Sequence, residues 1–247
     1  MESSATTEAP WRSGLQGARA NLVPGAVLQM VALALVLGYY WEPGVHLALS
    51  RLVKVRQEAG LVFGIVSTAL FGAVVPLLYL HFSRRDKRSG QGYSGLQGLC
   101  LTAFWAYKGV EIDLWYRLQA HWIGAGHDAV TIALKVILDQ FVYSPLFAVP
   151  VTAAVYQVVQ AWPDWRGSLA DLQAPGWYRR RSLQVLVANA GVWIPAVVVI
   201  YALPTALQLP LQNIVLCFYT LILVHQMRSG AQPPPASSGA DACPVPQ

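Results

Sequence analysis

Two pairs of oppositely charged residues lie inside apolar stretches of this sequence. Lys135 and Asp139 are four positions apart, and Lys108 and Glu111 are three apart. Either spacing puts both members of a pair on one face of an α-helix. A charge at the bilayer centre costs roughly 2.5–3.5 kcal/mol on insertion scales, so such residues are usually paired or face the protein interior. If the two helices pack face to face, the four charges neutralise one another in a polar core that also holds Gln140.

Two interpretations of this polar core stay open. In the structural interpretation, the ion pairs only fix how the helices pack. In the functional interpretation, the same residues form a polar path or gate for ions or small solutes, and Asp139 is the residue whose loss should matter most. Asp113 lies off the face shared by Lys108 and Glu111, and we expect it near the membrane surface.

Catalysis is a third interpretation, but the sequence lacks the motifs that would support it. His121 and His127 lie near Glu111 and Asp113, but a spacing of six residues is not a standard one for a metal site. The sequence has no GxSxG, no HExxH and no glycine-rich phosphate loop. Its three cysteines form no CxxC motif. We therefore expect no enzyme activity, no metal and no cofactor.

The composition is that of a membrane protein. Hydrophobic residues make up 55% of the 247 residues and charged residues only 12%, whereas soluble domains are about 25% charged. The net charge of +5 comes from short basic runs between apolar segments, a pattern that suits anionic lipid headgroups rather than nucleic acid. The expected partner is the lipid bilayer, and a homo-oligomer is compatible with it.

The apolar segments predict an all-α polytopic transmembrane bundle of about six membrane helices, within a range of four to six. Their predicted bounds are 22–40, 59–82, 95–116, 134–159, 182–203 and 211–227. The bundle occupies residues 21–228, between a flexible arm at 1–20 and a Pro/Ser-rich tail at 229–247. Residues 42–58 indicate an amphipathic interfacial helix, and residues 162–181 an interfacial loop.

Local features refine the second segment and the orientation. Gly60 and Gly64 form a small-xxx-small pair that favours close helix contact, and Pro76 predicts a kink. With six spans and the N-terminus inside, eleven Lys and Arg residues lie in inside segments and four in outside loops. This bias places both termini on the cytoplasmic or equivalent side.

Three motifs then resemble a known family. They are LWYRL at 114–118, KVILDQFVYSP at 135–145 and NAGVWIP at 189–195. In this order and spacing they resemble the Mpv-seventeen / PMP-twenty-two family, integral proteins of peroxisomal and mitochondrial inner membranes, over about residues 95–224. The matching positions are Trp115, Tyr116, Lys135, Asp139, Gln140, Pro145, Val192, Trp193, Pro195, Pro204 and Asn213.

The resemblance implies a divergent member. Val197 and Ile200 stand where the family has Gln and Asn, and Tyr219 replaces its late Trp. It implies a compact bundle of four family-like core helices plus N-terminal additions, without cofactor or catalysis. The family has been linked to channel-like behaviour, so the resemblance implies a small pore for ions or metabolites, with a scaffolding protein as the alternative. The membrane would be the cytoplasmic one in a cell without organelles, and the mitochondrial inner or peroxisomal one otherwise.

Overall fold

The structure, a computed structural model, describes residue 19, residues 22–82 and residues 93–229, with side chains given to residue 221. In these ranges every regular element is a helix, which confirms the all-α part of the predicted fold class. We number the helices α1 (Leu22–Trp41), α2 (Pro43–Ala59), α3 (Leu61–Phe82), α4 (Gly95–Trp122), α5 (Ala129–Gln160), α6 (Trp165–Gln173), α7 (Tyr178–Tyr201) and α8 (Thr205–Ser229). Most of the predicted arm, the basic loop at 83–89 and nearly all of the tail lie outside the described residues.

Three of these helices, α3, α5 and α7, are long and apolar enough to cross a membrane. A fourth candidate is the pair formed by residues 25–41 of α1 and all of α2, which meet at a bend of 98°. The helix α4 is long, but it carries four charged residues between positions 108 and 117. The described residues therefore support three to four candidate spans.

Prolines shape the two central helices. Residues Leu70–Val74 of α3 and Asp139–Ala148 of α5 are π-helical. Pro76 follows the first segment and Pro145 lies inside the second. Proline has no N–H to donate and its ring clashes with the carbonyl four residues earlier, so the helix widens locally. A π-helical segment thus precedes Pro76, where the sequence predicts a kink, and a second π-helical segment begins at Asp139.

Close contact between α3 and α4 depends on glycine. A Cβ on Gly109 would overlap the carbonyl oxygen of Gly64, and a Cβ on Gly72 would lie 2.6 Å from a ring carbon of Trp105. Small residues let helix backbones approach in a membrane, where lipid is as apolar as a leucine side chain. The predicted glycine pair is right for Gly64 and wrong for Gly60, which has φ 57° and makes the turn from α2 to α3.

Long-range hydrogen bonds fix the helix directions. The Gln29 amide donates to the Val192 carbonyl (2.8 Å) and the Tyr40 hydroxyl to the Ala202 carbonyl (2.7 Å), so α1 runs parallel to α7. Contacts near the start of α4 involve the end of α5, so these two helices are antiparallel. We call the end of the bundle where α7 meets α8 the Tyr201 end, and the opposite end the Gln160 end.

Both ends of α5 are held by short polar structures. Asp128 accepts hydrogen bonds from the Thr131 hydroxyl (2.6 Å) and from the backbone N–H groups of Val130 and Thr131. The hydroxyl hydrogen bond is the main reason why the pKa of Asp128 is lowered. At the other end, the segment predicted as an interfacial loop contains α6, which begins after Asp164 because that carboxylate accepts from the Gly167 N–H.

Candidate functional site

An elongated cavity of about 610 Å³ lies between α3, α4, α5, α7 and α8. Its lining extends along α5 from Asp139 to Gln160, which is about 30 Å at 1.5 Å per residue. That length matches the hydrocarbon core of a bilayer, about 30 Å. Most of the wall is apolar, whereas the two ends are polar. The volume falls in the range of roughly 300–1,000 Å³ that is usual for small-molecule sites.

Asp139 forms one polar end of this cavity. It is 7% exposed and accepts hydrogen bonds from side chains on three helices. The Trp115 indole (2.9 Å) and the Tyr201 hydroxyl (3.1 Å) donate to Oδ1, and the Gln140 amide (2.7 Å) donates to Oδ2. Hydrogen bonds to an ionised acceptor are roughly twice as strong as neutral ones. This network therefore ties α4, α5 and α7 together at the Tyr201 end.

Lys108 and Glu111 form the predicted ion pair beside this network. The Tyr143 hydroxyl donates to Glu111 Oε1 (2.5 Å), and Lys108 Nζ donates to that hydroxyl (3.3 Å). The Tyr143 ring stacks on the Trp115 ring, with centroids 4.6 Å apart and planes at 16°. The polar groups of α4 and α5 thus meet through Tyr143 and Trp115, whereas the sequence analysis considered direct contact between four charges.

Lys135 does not take part as predicted. Its side chain is 1% exposed, and its Nζ has no hydrogen-bond partner among the described residues. The predicted pair with Asp139 is wrong, because the π-helical segment begins at Asp139 and both carboxylate oxygens are bonded elsewhere. The Lys135 ammonium lies 6.0 Å from the centre of the Tyr201 ring. It does not line the cavity.

The expectation that Asp113 lies near the membrane surface stays a prediction, and its side chain is buried inside the protein. Asp113 is 1% exposed and forms an ion pair with Arg56 of α2. Arg56 also donates to the Thr205 carbonyl at the start of α8 (2.7 Å), and Arg117 Nε lies 2.8 Å from Asp113 Oδ2. Asp113 faces α2 because it lies off the face of α4 that carries Lys108. This second charge cluster does not line the cavity.

Two residues of the family-like motifs have buried polar partners. The Tyr116 hydroxyl donates to Gln212 Oε1 on α8 (3.0 Å). Asn213 accepts from the Thr68 hydroxyl (3.0 Å) and donates to the Ser67 hydroxyl (2.9 Å), both on α3. Tyr116 and Asn213 therefore hold α8 against α4 and α3.

The other motif positions shape helices or the cavity wall. Trp193 lines the cavity and packs edge-to-face on Tyr219, with ring centroids 5.6 Å apart. The Pro145 carbonyl accepts the Tyr178 hydroxyl (2.9 Å). Pro195 lies inside α7 and is exposed. Pro204 occupies the turn before α8, where its carbonyl accepts the Leu207 N–H (2.7 Å).

The sequence prediction missed three residues of these networks. Tyr143 follows Asp139 by one helical turn, so the spacing alone predicts that both side chains lie on the same face of α5. Tyr201 and Arg56 reach their carboxylates from other helices, and nothing in their local sequence indicates those partners. Within the described residues, no group of three or more His, Cys, Asp and Glu side chains is arranged to hold a metal ion.

No family model, no curated protein and no solved structure matches this chain. Arguments about its function therefore depend on the geometry of the cavity and on the residues that line it.

Proposed function

We propose that this chain is an integral membrane protein of the Mpv-seventeen / PMP-twenty-two type whose cavity admits a small solute and forms or regulates a small pore, without catalysis. The observation that carries the proposal is the combination of an apolar cavity about as long as a bilayer is thick with buried charges at one end. Ionisable residues at membrane depth are costly, and they usually mark solute paths when they face a cavity. Lys108 and Asp139 both line this one.

The helix directions support six spans. α1 runs parallel to α7, and α3 runs parallel to α8, because Gly64 and Thr68 of α3 lie beside Leu209 and Asn213 of α8. The helices α4 and α5 are antiparallel. If successive helices cross the membrane in opposite directions, these are the relative directions required of α1, α3, α4, α5, α7 and α8. In this arrangement α2 lies along the membrane surface, which agrees with its 98° bend from α1.

Asp139 occupies the position of a gate. The lining of the cavity ends where Asp139 accepts hydrogen bonds from Trp115 and Gln140. Lys135 and Asp113 lie outside the lining. A solute that continues toward the Tyr201 end has to separate Asp139 from its donors. Because three helices meet at this carboxylate, a small relative movement of α4, α5 and α7 opens the path.

Conductance in planar bilayers tests the proposal. Asp139→Asn keeps the size of the side chain but removes the charge that strengthens three hydrogen bonds. We expect at least a tenfold rise in open probability, which corresponds to about 1.4 kcal/mol. Asp128→Asn is the matched control, because asparagine also caps helices and Asp128 is exposed. If wild type and Asp139→Asn give the same background conductance, the pore is excluded.

A structural role is the second candidate, and the cluster of Arg56, Asp113 and Arg117 favours it. This cluster lies away from the cavity and joins α2, α4 and the start of α8. In a scaffolding protein all the buried charges would act in this way. Conductance separates the two functions, because a scaffold gives no conductance with any variant. In a scaffold, Asp139→Asn still lowers the unfolding temperature.

A further inference from the structure

A second cavity of about 820 Å³, with a more polar lining than the first, adjoins it at the Gln160 end. The two cavities share four lining residues, which are Ala153, Tyr156, Gln160 and Val185. The remaining wall of the second cavity consists mostly of charged, amide and hydroxyl side chains from α5, α6 and α7. We call the first cavity the tunnel and the second the mouth; together they have the polarity of an amphipathic molecule.

The mouth carries one cation and one anion that are not neutralised. Arg181 lines it and has no hydrogen-bond or ion-pair partner among the residues described. Asp164 accepts only the Gly167 N–H, at 3.4 Å, and has no cationic partner in the described part of the chain. The third charge, Asp171, is already paired, because it lies 3.4 Å from Arg180 and accepts the Gln157 amide.

We propose that this two-part cavity binds a zwitterionic phospholipid with a single acyl chain. The phosphate lies against Arg181, whose planar guanidinium suits bidentate contact with phosphate oxygens. The ammonium lies toward Asp164, and the chain enters the tunnel between α5 and α7. The inference rests on the proposed function, because it assigns a ligand class to the same cavity.

The distribution of charge favours a zwitterion over a simple anion. A carboxylate or phosphate alone would place its negative charge in a mouth that also holds Asp164 and Asp171. Like charges at close range oppose binding. A head with both signs satisfies Arg181 and Asp164 together.

The elongated tunnel favours one chain over two, and its far end sets a limit to the chain length. Each methylene that leaves water adds affinity while it is covered by apolar wall. The wall becomes polar at Lys108, Asp139 and Gln140, where a hydrocarbon would cover hydrogen-bonding groups. Affinity should therefore rise with chain length and then stop rising.

Binding of lysophosphatidylcholine to the purified full-length protein in lipid nanodiscs tests the inference, with native mass spectrometry as the count of bound molecules. We expect saturable binding of one molecule. Arg181→Gln and Asp164→Asn should each weaken it about tenfold. Arg179→Gln is the matched control, because Arg179 belongs to the same basic run but does not line the mouth.

A second pair of variants tests whether the chain occupies the tunnel. Ala153→Phe fills the junction of the two cavities, whereas the neighbouring Ala154 lines neither of them. We expect Ala153→Phe to abolish binding of long-chain probes and Ala154→Phe to leave it unchanged.

Several results would overturn the assignment. Equal binding of a neutral monoacylglycerol would remove the role of the charges, and tighter binding by Asp164→Asn would indicate an anionic ligand instead. Equal binding of two-chain phosphatidylcholine would exclude a single-chain site. If lysophosphatidylcholine does not bind while Asp139→Asn still alters conductance, only this assignment fails. If it binds and conductance is unaffected, the lipid site stands and the pore fails.

Discussion

Two buried lysines of this protein have opposite surroundings. Lys108 is 3% exposed and has Glu111 and the Tyr143 hydroxyl as partners. Lys135 is 1% exposed, and its ammonium makes no hydrogen bond to the described residues; it lies 6.0 Å from the centre of the Tyr201 ring and within electrostatic reach of Asp128. A buried polar group without a partner loses its hydration and gains little in return. The two residues should therefore respond in opposite directions when the charge is removed.

We expect Lys135→Met to raise stability by about 1–3 kcal/mol, the cost of one unsatisfied buried polar group. Methionine keeps the unbranched shape and removes the ammonium. Lys108→Met is the control and should lower stability by about 1–3 kcal/mol, because it leaves the part-buried Glu111 without its cation. Thermal unfolding of both variants in the same detergent measures the difference. A loss of stability in Lys135→Met as large as that in Lys108→Met would show that Lys135 has a favourable partner.

The residues of the site differ in how well sequence could predict them. The Lys108 and Glu111 pair is local, so the i, i+3 spacing was sufficient. The partners of Asp139 come from α4 and α7 and depend on how the π-helical segment turns the carboxylate. Helical spacing assumes a regular α-helix, and it failed for Lys135 because α5 is not regular at that point.

At the scale of helices, the sequence predicts those elements that a long apolar run or a single residue such as proline determines. The apolar runs indicated the main helices, and Pro76 indicated a disturbance in α3. The helix α6 is not predicted from the sequence, because its polar composition and the flanking prolines are typical of a loop. The crossing of α3 and α4 is half predictable from the sequence, since Gly64 belongs to a small-xxx-small pair and its partner Gly109 does not.

The crossing makes a prediction about α4. Gly109→Ala should destabilise the protein by about 1–3 kcal/mol, because the new Cβ overlaps the Gly64 carbonyl and backbone cannot move aside as a side chain does. Gly98→Ala is the matched control on the same helix, where the nearest atom lies 3.5 Å away. Both variants gain the same helix propensity, so their difference in unfolding temperature reports the crossing alone. Equal stability of the two variants would show that α3 and α4 are not in close contact.

At the scale of the whole molecule, the direction of α1 decides how many times the chain crosses. Its hydrogen bonds to α7 at Val192 and Ala202 keep the two helices parallel over about 15 Å, at 1.5 Å per residue. Its outward side chains are apolar, as in a helix that faces lipid. Because α7 is itself a candidate span, we propose that α1 crosses alongside it in the same direction. The apolar runs predict six crossings, and only the tertiary hydrogen bonds give the relative directions of the helices.

Six crossings place the turn between α4 and α5 on the side opposite α6 and both termini. A variant without native cysteines and with Ala125→Cys, in that turn, should react with an impermeant maleimide only from the outside. Ala170→Cys, on α6, should react only from the inside, and reporters fused to the two termini should agree with it. If α1 and α2 instead formed a re-entrant pair, the N-terminal reporter would lie on the side opposite the C-terminal one. Such a result would leave five crossings, and the proposal of six spans with both termini on one side would fail. The two cysteine positions would still report opposite ends of α5.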